Sequence, residues 1–91
     1  MNLRREARGR ECQIRLPGIC NFNAETTVLA HFRLSGVSVA GIKPPDLLGA
    51  WACSACHAKV DTDTSDEVEL AFAHGVMRTQ YQLLKERKVV V

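Results

Sequence analysis

Aromatic residues are scarce in this sequence: one Trp, one Tyr and three Phe, most of them inside apolar runs. That leaves no evident platform on which single-stranded bases could stack. No apolar stretch approaches the ~20 residues of a transmembrane helix. Met1-Asn2-Leu3-Arg4-Arg5 is basic, but no apolar h-region follows it, so nothing resembles a secretory signal. A reducing cytoplasmic setting is therefore expected. Internal repeats and low-complexity tracts are absent. Net charge is only +2, so charge alone points to no partner. With 91 residues the expectation is one domain, 1–91, with a thin core of the kind that often needs a staple.

What the chain does have is four cysteines: Cys12, Cys20, Cys53 and Cys56. They could make two disulfides or one metal site, and a reducing compartment favours metal. The two-residue gap between Cys53 and Cys56 points the same way, since two thiols so spaced can grip one ion from a helix start. Four cysteines make a closed tetrahedral zinc site, which offers no open position for water and is therefore structural. The rival is a three-cysteine site with His57 as fourth ligand. On a helix, however, His57 points about 100° away from Cys56 and need not face the same ion.

Glu11 to Leu16 alternates in strand fashion, with Cys12, Ile14 and Leu16 on one side. Pro17-Gly18 is a turn signal, so Cys12 and Cys20 are expected to face each other across a tight hairpin. Before it, residues 1–10 suggest one loose helical turn ended by Gly9. Thr26 to Phe32 is β-branched and apolar, the best strand in the chain, with His31 near its end. Arg33 to Asp46 holds two glycines and two prolines and reads as a long loop. Leu47 to Ala52 reads as a returning strand, and a helix is expected from about Cys53 to Val60. A capping box of Thr64 and Glu67 opens a second helix, running to about Arg87 with a stripe of Val68, Phe72, Val76 and Leu83. Gly75 inside that helix marks close packing, and Val89-Val90-Val91 is a candidate terminal strand.

Charge is uneven along the chain. Five arginines lie between Arg4 and Arg15, five acids between Asp61 and Glu69, and Arg78, Lys85, Arg87 and Lys88 near the C-terminal end. Two basic ends around an acidic middle fit a face for a polyanion, though a solvated surface explains them as simply.

Ala30-His31-Phe32, a loop, Asp46-Leu47-Leu48 and then Cys53-Ser54-Ala55-Cys56-His57 resemble the zinc-stapled HNH endonucleases over residues 12 to about 60. From Arg8-Gly9-Arg10-Glu11-Cys12 through Pro44-Pro45-Asp46-Leu47 to His57, the chain also resembles the YbcO-type family of lambdoid prophages, whose members are described as nucleases. The resemblance implies an α+β fold: a small zinc-stapled ββα-metal (HNH-like) domain, core about 11–60, with an added C-terminal helix at about 65–87. It implies His31 as general base and His57 as ligand of a catalytic divalent ion, magnesium or manganese, apart from the structural zinc. Asp46 is the candidate for the middle residue that orients the base, or for a second metal ligand, with Asp61 a weaker option. Arg33, two residues beyond His31, is the candidate phosphate contact. Two departures stand out: Ala30 occupies a position where many HNH enzymes place an acid or histidine, and the middle asparagine is missing.

The expected function is one-metal hydrolysis of DNA phosphodiester bonds, with DNA held mainly through its phosphates. Two other readings remain at this point: a non-catalytic zinc module that binds nucleic acid, and a small protein adaptor with zinc for stability only.

Overall fold

The computed structural model describes residues 2–34 and 44–89. Most of the expected loop, residues 35–43, and the last two valines of the candidate terminal strand lie outside that range. Val89 itself is in no strand.

In chain order the elements are α1 (Leu3–Glu6), β1 (Val28–His31), β2 (Gly49–Ala52), α2 (Ser54–Thr62) and α3 (Asp66–Lys85). The Asn2 side-chain oxygen accepts the Arg4 and Arg5 N–H groups and starts α1. Gly9, at φ +75°, turns the chain away after it. β1 and β2 pair antiparallel, with Val28 opposite Ala52 and His31 opposite Gly49. Both strands are shorter than expected because their outer ends tighten into 3₁₀ turns, Ala24–Thr26 and Asp46–Leu48.

The expected hairpin between Cys12 and Cys20 does not form a ladder: residues 11–20 contain no strand. Alternation correctly marks the buried side, since Cys12, Ile14 and Leu16 are all buried. It says nothing about backbone partners, and here those lie elsewhere. Gln13 N–H donates to the Trp51 carbonyl at 2.7 Å. Arg15 sits at φ +55° and breaks the extended path. The Pro17-Gly18 turn does form, closed by Ile19 and Cys20 N–H groups donating to the Leu16 carbonyl.

α3 lies across the sheet and buries Val68, Phe72, Gly75, Val76, Thr79 and Leu83. Trp51 N–H donates to Thr79 Oγ1 at 3.0 Å, and that hydroxyl donates on to the Gly75 carbonyl at 2.8 Å. The capping box of Thr64 and Glu67 is not made. Ser65 is the N-cap and forms no side-chain cap bond, its own N–H being taken by Asp63 Oδ1 at 2.9 Å. Acidic Asp66, Glu67 and Glu69 still fill the first turn, where the helix dipole favours them.

Gly75 is where the helix meets the cysteine-bearing loop. A Cβ there would lie 2.9 Å from Ile14 Cγ1, 3.1 Å from Ile14 Cα and 3.2 Å from the Gln13 carbonyl oxygen. Alanine gains about 1 kcal/mol of helix propensity, but backbone atoms cannot rotate aside. Gly75→Ala is therefore expected to destabilise by a net ~1–3 kcal/mol. Urea denaturation checks this, and a more stable variant would contradict it.

Arg10 is a structural residue. Its guanidinium lies over the Trp51 ring, 4.6 Å from the centroid, and makes two 2.6 Å bonds to Glu86. Those bonds, followed by one from Gln82, hold the Glu86 carboxyl down at about 2 against a usual 4.5. A depressed acid stabilises the fold above its unfolded value and loses that contribution as pH falls through the folded one. Wild type is thus expected to exceed Arg10→Ala in Tm at neutral pH, with the margin beginning to shrink as pH falls towards 4.5, while the cysteine cluster can still hold a metal. The measurement is the difference between the two Tm-against-pH curves, and parallel curves would rule the pair out as a source of stability.

Candidate metal centre and candidate active site

The loop 11–20 and the start of α2 bring all four cysteines together, and none is in a disulfide. Their sulfurs lie within 4.8 Å of one another, with Cys20 and Cys53 at 3.8 Å. A tetrahedral ion with bonds of about 2.3 Å sets its sulfurs about 3.8 Å apart, so the cluster has the dimensions of a four-sulfur site. Cys53 is also the N-cap of α2, its sulfur accepting the Cys56 N–H at 3.4 Å. Ser54 N–H goes to Thr26 Oγ1 at 3.1 Å, and Asn21 Nδ2 donates to Ser54 Oγ at 3.0 Å. These bonds tie the chain after Cys20 to the helix that carries the other pair.

Burial and hydrogen bonding act on the cluster's thiols in opposite senses. Burial pushes the Cys56 and Cys20 thiols up. It also acts on Cys53, but there the backbone N–H groups of Cys56 and Asn21 overcome it and bring the thiol to about 7. Four clustered thiolates, three of them buried and Cys20 half-buried, would need a compensating positive charge, which a divalent ion can supply. His57 is not among the gathered ligands, so the three-cysteine alternative is not what the fold assembles.

A second site lies at the end of β1. Phe32 packs edge-on against Phe72 of α3, with centroids 4.9 Å apart, which fixes the strand end on the helix. His31 and Arg33 open beside it into a cleft of about 140 Å³ that Asp61, Thr64 and Glu69 also line. His31 Nε2 is 2.7 Å from Asp46 Oδ1. The Asp46 carboxyl is held below the usual carboxylate range, first by that bond and then by Arg4, whose Nε is 3.5 Å away. An ionised carboxylate only accepts, so His31 donates Nε2–H to Asp46, and Nδ1 takes no part in that bond.

His57 lies one helical turn from Asp61, its Nε2 3.5 Å from Asp61 Oδ2. Asp61 thus belongs both to the His57 pair and to the His31 cleft. Asp46 is bound to His31 and not to His57. Among the described residues the four cysteines are the one gathered set of three or more metal-ligating side chains, so any ion at His57 would hold few protein ligands. Sequence reasoning missed Arg4. Its basic cluster was visible, but nothing local indicated that α1 packs beside the Asp46 turn. Ala30 is buried in the sheet and cannot reach an ion in the cleft.

A family model described as "Putative nuclease YbcO" matches residues 1–88. Two relatives, each described as a putative nuclease YbcO, come from Escherichia coli strain K12 and from Enterobacteria phage 82. Each is 52% identical over 90 residues, covering 93% of this chain and 93% of the relative. A solved structure, described as a putative bacteriophage protein from Escherichia coli K-12, superposes with a TM-score of 0.78. It is 46% identical and is matched over 94% of this chain and 100% of its own. With a family model matched over residues 1–88 and relatives 52% identical over 93% of either chain, the chain belongs to the YbcO family.

Proposed function

We propose that the protein is a metal-dependent DNA endonuclease of the HNH type, acting in the cytoplasm, with zinc on Cys12, Cys20, Cys53 and Cys56 as a structural staple. The observation that carries the reading is the His31–Asp46 pair at 2.7 Å on the rim of a cleft that also holds Asp61 and Arg33. Two antiparallel strands followed by α2, with a histidine on β1 and another on α2, support the ββα-metal assignment.

In this reading His31 Nδ1 takes a proton from water, whose oxygen attacks phosphorus. Asp46 orients the ring and stabilises the imidazolium that results, as a carboxylate does behind any catalytic histidine. Arg33, with Arg4 behind Asp46, holds the phosphate and conveys little sequence information. His57 and Asp61 would hold the divalent ion, which when bound stabilises charge on the phosphate and on the leaving 3′ oxygen. An imidazole and one carboxylate leave most of a coordination sphere to water and phosphate. Magnesium tolerates that, and manganese accepts imidazole more readily.

One observation favours a second reading, a zinc-stabilised module that binds nucleic acid without cutting it: the ligand set at His57 is thin and Ala30 contributes nothing to it. Nicking of supercoiled plasmid with added manganese or magnesium decides between them. Cleavage that needs the added ion supports the nuclease. Binding without cleavage, on every DNA form offered and with either ion, supports the module.

A further inference from the structure

α3 carries a second apolar stripe, on the face turned away from the core. Leu70, Met77, Tyr81 and Leu84 are 58%, 56%, 63% and 41% exposed, and exposed His74 falls in line with them. Positions 70, 74, 77, 81 and 84 follow the alternating four-and-three spacing of a coiled-coil seam. The opposite face, from Val68 to Leu83, is already buried on the sheet and the cysteine loop. A helix that is apolar on two sides has a second surface to cover. An almost wholly apolar groove of about 330 Å³, lined by Phe32, Ala73, Val76 and Met77 among others, runs along its flank.

The three aliphatic positions of the stripe, Leu70, Met77 and Leu84, are self-complementary about Met77. Leu70 and Leu84 each lie seven residues from it. The first turn holds Asp66, Glu67 and Glu69, and the other end holds Lys85 with Arg87 and Lys88 just beyond. In a parallel pair, acid would face acid and base would face base. In an antiparallel pair the acidic first turn of each copy lies beside the basic end of the other.

We infer that this face binds a second copy of the chain, antiparallel about a twofold axis at Met77, so that Leu70 of one copy meets Leu84 of the other and Glu67 flanks Lys85. A twofold interface uses the same patch on both partners; Leu70, Met77 and Leu84 are symmetric about the axis, and Tyr81 then falls opposite Ala73 of the other copy. Glu69 also lines the His31 cleft, so docking sets the basic end of the second copy beside the rim of that cleft. The inference rests on α3 alone and stands whether or not the protein cleaves DNA.

Sedimentation equilibrium of the full-length, zinc-loaded chain tests it. Wild type at about 100 μM is expected to run as a dimer. Met77→Glu sets two like charges on the axis and should run as a monomer with unchanged zinc content and circular dichroism. Glu67→Lys and Lys85→Glu should each raise the dimer Kd about tenfold or more, and the two combined should restore it. The combined variant leaves both helix ends with the wrong charge for the dipole, so a dimer regained while Tm falls separates pairing from helix stability. A wild type that stays monomeric, a Met77→Glu dimer, or a combined variant no better than the single ones would each overturn the inference.

Discussion

Cys56→Ser is expected to unfold the protein. Cys56 is fully buried on the first turn of α2, and its sulfur closes a cluster whose other members come from Cys53 and from the loop 11–20. That loop contains no strand, so little besides the cluster, the buried Ile14 and Leu16, and a few hydrogen bonds holds it to the helices. Structural zinc contributes about 10–16 kcal/mol in small domains, while a domain's whole stability is about 5–15 kcal/mol. Loss of the ion therefore removes as much free energy as folding provides. Serine nearly keeps the volume but offers a hydroxyl that does not ionise at neutral pH, so the site loses a ligand and leaves Cys12 and Cys53 buried, and Cys20 half-buried, without an ion to share. Metal analysis should find one zinc per wild-type chain and almost none in the variant. Near-ultraviolet circular dichroism of buried Trp51 should collapse in the variant, and in wild type treated with a strong chelator. A metal-free variant that keeps the wild-type Tm would show that the apolar core suffices and that the cluster is not the staple.

His31→Ala is expected to lower DNA cleavage by about 10²–10⁴-fold, the usual contribution of a positioned general base, with zinc content and DNA affinity unchanged. Asp46, the carboxylate bonded to the imidazole, sits on a 3₁₀ turn rather than in the zinc cluster and keeps its contact with Arg4, so removing the ring leaves the staple and Arg33 in place. Asp46→Asn should also cut slowly, because an amide can present its N–H to the ring and favour the tautomer with Nε2 unprotonated. Manganese should outperform magnesium, given the imidazole at His57. Binding should weaken steeply with salt, since it depends on phosphate contacts. Plasmid nicking at matched protein concentrations reads the first three, and filter binding over a salt series reads the last. Equal cutting by wild type and His31→Ala would remove His31 from the mechanism and point to a contaminating nuclease or another base.

The strands, both long helices and the four cysteines could be read from the chain because each is set by local spacing. Alternation at residues 12–16, a β-branched run before His31, a Cys-x-x-Cys opening a helix and a 3.6-residue stripe from Val68 to Leu83 all state which side chains face inward. They do not state which backbone groups pair. For that reason the Cys12–Cys20 segment looked like a hairpin, while its Gln13 N–H is in fact bonded to the Trp51 carbonyl. The pairing of His31 with Asp46, fifteen positions on, also depended on the fold, because only the antiparallel register brings the turn before Gly49 beside the end of β1. So did the division of labour among the arginines. By charge alone Arg4, Arg10 and Arg33 are equivalent. Packing puts Arg10 on Trp51 and Glu86, Arg4 beside Asp46 and Arg33 on the cleft. Long-range contacts between charged side chains leave no periodic trace in a sequence, since their partners are chosen by how whole elements pack and not by neighbours along the chain.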